Sequence, residues 1–264
     1  KMSDMDGVSG KSEGDYFGYV STQIWGAMIP MVSAFGLKYA DFEDGNVTLT
    51  LNNDRSAKAL DNLKALFNGD GSTGYTVSGD LANSDVVKSE DNSLSIFMNG
   101  NALFAGELRF ASMSMLTDME GNWSVLPYPK LDDTQTSYIS PTHDTTEVGA
   151  IPRICGNKDD VLQLLEYLSL LTSRTVMTEY YDTLLKNRYS KVPEVQKMVT
   201  IIHDNLGGAF VVGYNNATGD GLLWEPFYQP LIKNRDFSAY YPTYSTSLKG
   251  SFETILTNWA RYME

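Results

Sequence analysis

Two histidines and one cysteine are the side chains in this 264-residue sequence best suited to metal, nucleophilic or proton-transfer chemistry. His143 and His203 stand far apart, and neither lies in a ligand spacing such as His-Glu-x-x-His. His203 falls one step off the apolar stripe of an expected helix, where a solvated or helix-end residue belongs. His143-Asp144 lies in a polar loop, where the pair can stabilise a turn or contact a ligand; both residues are kept as ligand candidates. Cys155 has no histidine near it in sequence and is expected to be a small buried residue. A single cysteine also excludes an internal disulfide framework and any multi-cysteine metal site. No Gly-x-Ser-x-Gly elbow or P-loop is present, nor a dinucleotide fingerprint set between strand and helix. Asp132-Asp133 and Asp159-Asp160 are adjacent carboxylates of the kind that make turns and helix starts. A glycosidase needs two opposed carboxylates at a set separation, which spacing along a chain does not reveal. The expectation is no catalytic residue, no metal and no cofactor.

The rings are more suggestive. Sixteen tyrosines and four tryptophans exceed what a core of this size uses. Half-buried tyrosine with a wet hydroxyl is the ordinary explanation, and rings stacked on the C–H faces of a sugar are the sharper one. Thirty-three acidic against twenty basic residues give a net charge of −13, which repels phosphate backbones and argues against nucleic acid as a partner. No apolar run approaches the roughly 20 residues of a membrane span. Lys1 to Asp6 lacks the layout of a signal peptide.

The elements that must position these residues follow from periodicity. Residues 1–15 are polar and glycine-rich, a flexible leading segment. From Tyr16 to Ala40 apolar residues recur at near-helical spacing, and Gly36 marks the stop. Asn46 to Leu51 alternates as a short strand, and a helix from Asp54 carries Leu60, Leu63, Leu66 and Phe67, with Gly69 as its cap. Residues 70–92 predict loop with a short helix. Ala102–Phe104 and Trp123–Leu126 are runs of strand length, the second stopped by Pro127, and Val148–Ile151 is a further apolar run. Asn157 caps a helix with Asp159 and Asp160 in its first turn and Val161, Leu164, Leu165 and Leu168 on its apolar face. Further helices are expected over Thr175 to Asn187, from Pro193 to Gly207-Gly208, and over Leu248 to Met263. Trp123 and Trp259 are assigned to the core. Short strands between long helices predict an α/β or α+β layered domain.

Two stretches carry a family resemblance. Ile96-Phe-Met-Asn-Gly-Asn-Ala-Leu-Phe-Ala-Gly-Glu107, followed by Val125-Leu-Pro-Tyr-Pro-Lys130, resembles the extracellular solute-binding proteins of maltose-binding type. Pro127 to Gln135 with Tyr138, Ile151-Pro152, Glu179 to Lys186 and Met198 to Ile202 are similar to a branch of large solute-binding lipoproteins of Gram-positive bacteria. The similarity runs from about residue 16 to the end. It implies an α/β fold of the periplasmic-binding-protein-like type II, built of three-layer lobes. Residues 16–140 and 193–264 would form the C-terminal lobe, and the 150–190 helices would return to a truncated N-terminal lobe. Hinge crossings would fall at 138–149 and 187–194. Without the earlier strands, those returning helices would leave their apolar faces exposed, packed differently, or shared with another chain.

The resemblance also implies ligand held between lobes by rings and hydroxyl-matching polar groups. By position the candidates are Tyr16, Phe17, Glu107, Arg109, Phe110, Trp224 and Tyr228, joined by His143 and Asp144. Implied partners are a small-molecule ligand, a mono- or oligosaccharide, and an ABC importer permease; the full-length protein would be an extracellular lipoprotein. The alternatives are a fragment of a carbohydrate-active enzyme, which substituting Glu107 or Asp144 would inactivate, or a surface glycan-binding module with no importer.

Overall fold

Phe17–Ser21 is a strand, β1, where the sequence spacing predicted the start of a helix. The computed structural model describes residues 12, 14–68, 76–78, 90–106, 110–142, 149–181, 183, 193–207, 214 and 224–263. Within β1 the aromatic and β-branched residues around Gly18 favour a pleated strand. It lies between two parallel partners, β4 (Thr76–Ser78) and β5 (Ala102–Ala105), in the order β4-β1-β5. Such a central parallel strand shows a continuous apolar run instead of alternation, and the run was mistaken for helix. Helix α1 follows over Ile24–Ala34. Gly36 closes it as expected, at φ +63° with its N–H on the Ser33 carbonyl, a left-handed residue just past the helix.

Strands β2 (Ala40–Glu43) and β3 (Asn46–Leu49) form an antiparallel hairpin. Its two-residue loop, Asp44-Gly45, has both residues at positive φ, the conformation whose twist matches the flanking strands. Helix α2 (Asp54–Phe67) starts where expected, because Asn53 accepts the Ser56 N–H, and it buries Leu60, Leu63 and Phe67. Helix α3 (Glu90–Met98) ends at Gly100, φ +78°, and the chain turns directly into β5. Phe110–Asp118 forms a 3-10 helix. Trp123–Leu126 pairs with no strand among the described residues, so this expectation fails. The two short strands β6 (Ser140–Pro141) and β7 (Leu206–Gly207) pair in parallel.

Helix α4 (Lys158–Arg174) and the single turn α5 (Val176–Thr178) follow, then α6 (Pro193–Asp204) with Val195 and Val199 buried against Trp123, Val125, Tyr180 and Tyr181. The Asn157 side chain makes no cap bond, because its Oδ1 faces the Cys155 Sγ at 3.5 Å. Cys155 is half-buried in that turn, not buried as expected. The chain finishes with α7 (Glu225–Ile232), α8 (Phe237–Tyr240) and α9 (Pro242–Met263). The main core joins early and late segments: Met28, Leu60 and Leu63 pack in one cluster with Phe227, Leu231 and Phe252. Trp259 is 48 % exposed, against the expectation that it lies inward, and meets the Tyr214 ring edge-on at 5.6 Å. Helix α4 buries none of its residues. The chain is a mixed α/β protein in which no described helix is long and apolar enough to cross a membrane.

Candidate functional site

Open parallel sheets bind ligands outside the carboxyl ends of their strands, beside the strand where the connections reverse direction. Here that strand is β1: the chain passes to β4 on one side, then across to β5 on the other. Four features meet at this edge. Tyr19 sends its ring toward the end of β5, so that a Cβ built on Gly106 would lie 1.7 Å from its hydroxyl. Only glycine admits that approach. Ser21, the last residue of β1, is buried, and its Oγ has no hydrogen-bond partner among the described residues. Thr22 Oγ1 lies 3.0 Å from Ser93 Oγ, tying the β1–α1 turn to the first turn of α3. Trp25 stands in the first turn of α1 with 44 % of its surface in solvent.

This edge therefore offers hydroxyls and one indole. A hydroxyl both donates and accepts, and an indole face takes C–H surface, so the set suits a neutral polyhydroxylated molecule. A buried hydroxyl left unpaired costs about 1–3 kcal/mol. Trp25 was missed in the sequence because it was counted into a helical apolar pattern. Its position directly after a strand, in a helix's first turn, was the usable signal.

The residues singled out in sequence are scattered by comparison. Tyr16 is exposed and precedes β1, so it lies at the opposite, amino edge of the sheet, about 16 Å away for a strand of five residues at ~3.3 Å each. Phe17 is buried against Val20, Ile96 and Ala102. Phe110 opens the 3-10 helix that follows the carboxyl edge by sequence. Glu107, Arg109, His143 and Asp144 lie outside the described residues. Trp224 and Tyr228 are half-buried, meet edge-to-face at 5.0 Å and pack on the main core. Beside them Tyr244 donates to Glu225 Oε2 at 2.9 Å and lies 3.2 Å from the Tyr240 hydroxyl. Burial first, then those two contacts, push the Tyr244 hydroxyl above its ordinary value. Its contact with the Tyr244 hydroxyl, with Lys233 adding, holds Tyr240 below its own. Among the described residues no group of histidine, cysteine and carboxylate side chains could hold a metal ion.

A second recess, an open groove of about 730 Å³, runs along Leu126, Pro127, Pro129 and Tyr138 toward Met198 and Ile201. Lys130 sits over the Tyr138 ring at 4.7 Å. At its rim Asp132 receives Thr134, Lys58 at 3.2 Å and Arg55 at 3.3 Å, which clamp the proline-rich segment to α2. The Thr134 hydroxyl foremost, then Lys58 and Arg55, hold the Asp132 carboxyl below the usual carboxylate range against the opposing effect of burial. Already committed to this clamp, Asp132 is a structural residue. His203 is exposed, with Nδ1 3.0 Å from Asp204 and its ring 4.4 Å from that of Tyr181.

No protein-family model, no curated protein and no solved structure matches the chain.

Proposed function

We propose that the chain is the non-catalytic, ligand-capturing component of a bacterial ABC importer, and that it holds a carbohydrate at the carboxyl edge of the β4-β1-β5 sheet. The proposal includes the two-lobed periplasmic-binding-protein-like architecture and an extracellular, lipid-anchored setting for the full-length protein, both resting on the resemblance of the 96–107 and 125–130 stretches. The observation that carries the ligand class is the grouping of the unsatisfied Ser21 hydroxyl, the Thr22–Ser93 pair and the half-exposed Trp25 indole at the edge where such sheets bind. One wall of a cleft supplies part of the contacts, so the expected affinity is in the millimolar range, about −4 kcal/mol.

The test is a thermal-shift screen of neutral mono- and oligosaccharides against the chain, since binding raises the melting temperature by mass action. At least one sugar stabilises the wild-type chain, and Trp25→Ala abolishes that shift while leaving the sugar-free melting temperature within about 1–2 °C, as suits an exposed side chain. No response to any sugar at high millimolar concentration refutes the ligand class. A full response retained in Trp25→Ala refutes the location.

A further inference from the structure

Tyr240 and Tyr244 stand four positions apart across the join between α8 and α9, a spacing that sets two side chains next to each other on one helical face. Their ring centroids are 5.3 Å apart at 55°, and their hydroxyl oxygens are 3.2 Å apart. The backbone fixes the pair: the Tyr241 N–H donates to the Phe237 carbonyl at 2.8 Å, and the Tyr244 N–H to the Tyr241 carbonyl at 2.9 Å. Phe237 and Tyr241 from the same turn are buried in the main core, whereas Tyr240 and Tyr244 are only half-buried and open to small solutes.

The groups around the pair ease the loss of an electron from each phenol. A phenol that gives up an electron becomes a strong acid, so an acceptor already in place lowers the barrier to its oxidation. Tyr244 has one: it donates to Glu225 Oε2 at 2.9 Å, and a carboxylate is a stronger acceptor than a second phenol. On the other side Lys233 Nζ lies 3.4 Å from the Tyr240 oxygen, and the Arg235 guanidinium lies 5.6 Å from the ring centre. Both cations favour departure of the Tyr240 proton, and a phenol without its proton yields an electron more readily. Phenoxyl radicals couple at the ring carbons beside the oxygen. Hydroxyls in contact therefore bring the two reacting carbons together.

We propose that Tyr240 and Tyr244 form an oxidative cross-linking site, joined carbon to carbon as dityrosine when a haem peroxidase and hydrogen peroxide supply one-electron oxidation. Each phenol gives up one electron and one proton, the Tyr244 proton passing to Glu225 and the Tyr240 proton to water. The two radicals form a C–C bond between ring carbons ortho to the oxygens. The hydrogens on those carbons then leave for the oxygens, which restores two phenols. One hydrogen peroxide takes up the two electrons and two protons and departs as two waters. The link pins the turn that carries Phe237 and Tyr241 into the core, and it does not depend on the ligand assignment.

The test treats the full chain with a haem peroxidase and limiting hydrogen peroxide, then reads dityrosine by its blue fluorescence and by mass spectrometry of a tryptic digest. The expected product stays at 29.3 kDa. Its tryptic peptide 236–249 is two hydrogens lighter and gives no backbone fragments between residues 240 and 244. Tyr180 and Tyr181, with rings 5.4 Å apart, fall in a different tryptic peptide and serve as the internal competitor. Tyr240→Phe and Tyr244→Phe each abolish the lightened peptide while circular dichroism stays that of wild type. Glu225→Gln slows its formation about tenfold, as suits the loss of one hydrogen bond to a charged acceptor. The proposal is overturned if peptide 236–249 keeps its mass, if the link survives either phenylalanine variant, or if coupling falls mainly on other tyrosines or between chains. An unchanged rate in Glu225→Gln overturns the proton route.

Discussion

Gly106→Ala adds one methyl group at the end of β5, and the structure says where it would go. The new Cβ would lie 1.7 Å from the Tyr19 hydroxyl, 2.5 Å from Cζ and 3.2 Å from Cε1. Real contacts to a Cβ do not fall below about 3.0 Å, so either the strand end or the tyrosine must move. Tyr19 is ill placed to do so. Its ring is 7 % exposed, stands edge-on to Phe67 at 5.9 Å, and belongs to a strand with partners on both sides. Overpacking of this kind costs about 1–3 kcal/mol. For a chain of this size that corresponds to a loss of roughly 3–10 °C in melting temperature. Differential scanning calorimetry of wild type, Gly106→Ala, Tyr19→Phe and the double variant would measure it. Because the closest clash is with the hydroxyl oxygen, Tyr19→Phe recovers part of the Gly106→Ala loss, a coupling of about 1 kcal/mol. A Gly106→Ala variant within about 0.5 kcal/mol of wild type, or additive effects in the double variant, would show that Tyr19 does not occupy that space.

Two further predictions concern titrating groups. Burial, with the Tyr241 phenol adding, pushes the Tyr39 hydroxyl far above its ordinary value. The folded chain keeps that proton to higher pH than the unfolded chain, so this group leaves stability independent of pH below about pH 10 and makes it fall as the pH climbs beyond that. Tyr39→Phe makes the alkaline fall in melting temperature shallower. At neutral pH it leaves the melting temperature equal or higher, because the hydroxyl is buried without a partner among the described residues; a clear drop would contradict that environment. Asp132 has the opposite sign: its folded carboxyl is held low, so its contribution is present above about pH 4 and declines as the pH falls below the unfolded value. Asp132→Asn lowers the neutral-pH melting temperature and flattens its decline between about pH 5 and pH 3, and an unchanged acid limb would dismiss the clamp on α2.

Helices with one buried face were legible in the sequence, and residues buried on every side were not. Leu60, Leu63 and Phe67 announced α2 through their spacing, and Gly36 marked the end of α1 because a left-handed residue is needed there. The Phe17–Ser21 strand defeated periodicity, since a strand packed between two others has no wet face to break its apolar run. Asp44-Gly45 offered a hairpin signal that was passed over, because the preceding strand, Ala40–Glu43, is half polar. Trp123 to Leu126 looked like a strand by composition, but a strand exists only through a partner, and Pro127 and Pro129 remove the donors a partner would need. The carboxyl-edge site was legible only in part. Sequence likeness led to the stretch after Gly106, whereas only sheet order brings Ser93 and Gly106 beside the short 21–25 segment.

The main core has a consequence for the chain's birth. Met28, Leu60 and Leu63 are finished by Phe227, Leu231 and Phe252, so about 160 residues separate the two halves of one hydrophobic contact set. At a ribosomal rate of about 5–20 residues per second, the first half waits roughly 10–30 s before its complement is made. During that interval the inner faces of α1 and α2 are bare and sticky. The core closes only when the helix that carries Phe252 has been made.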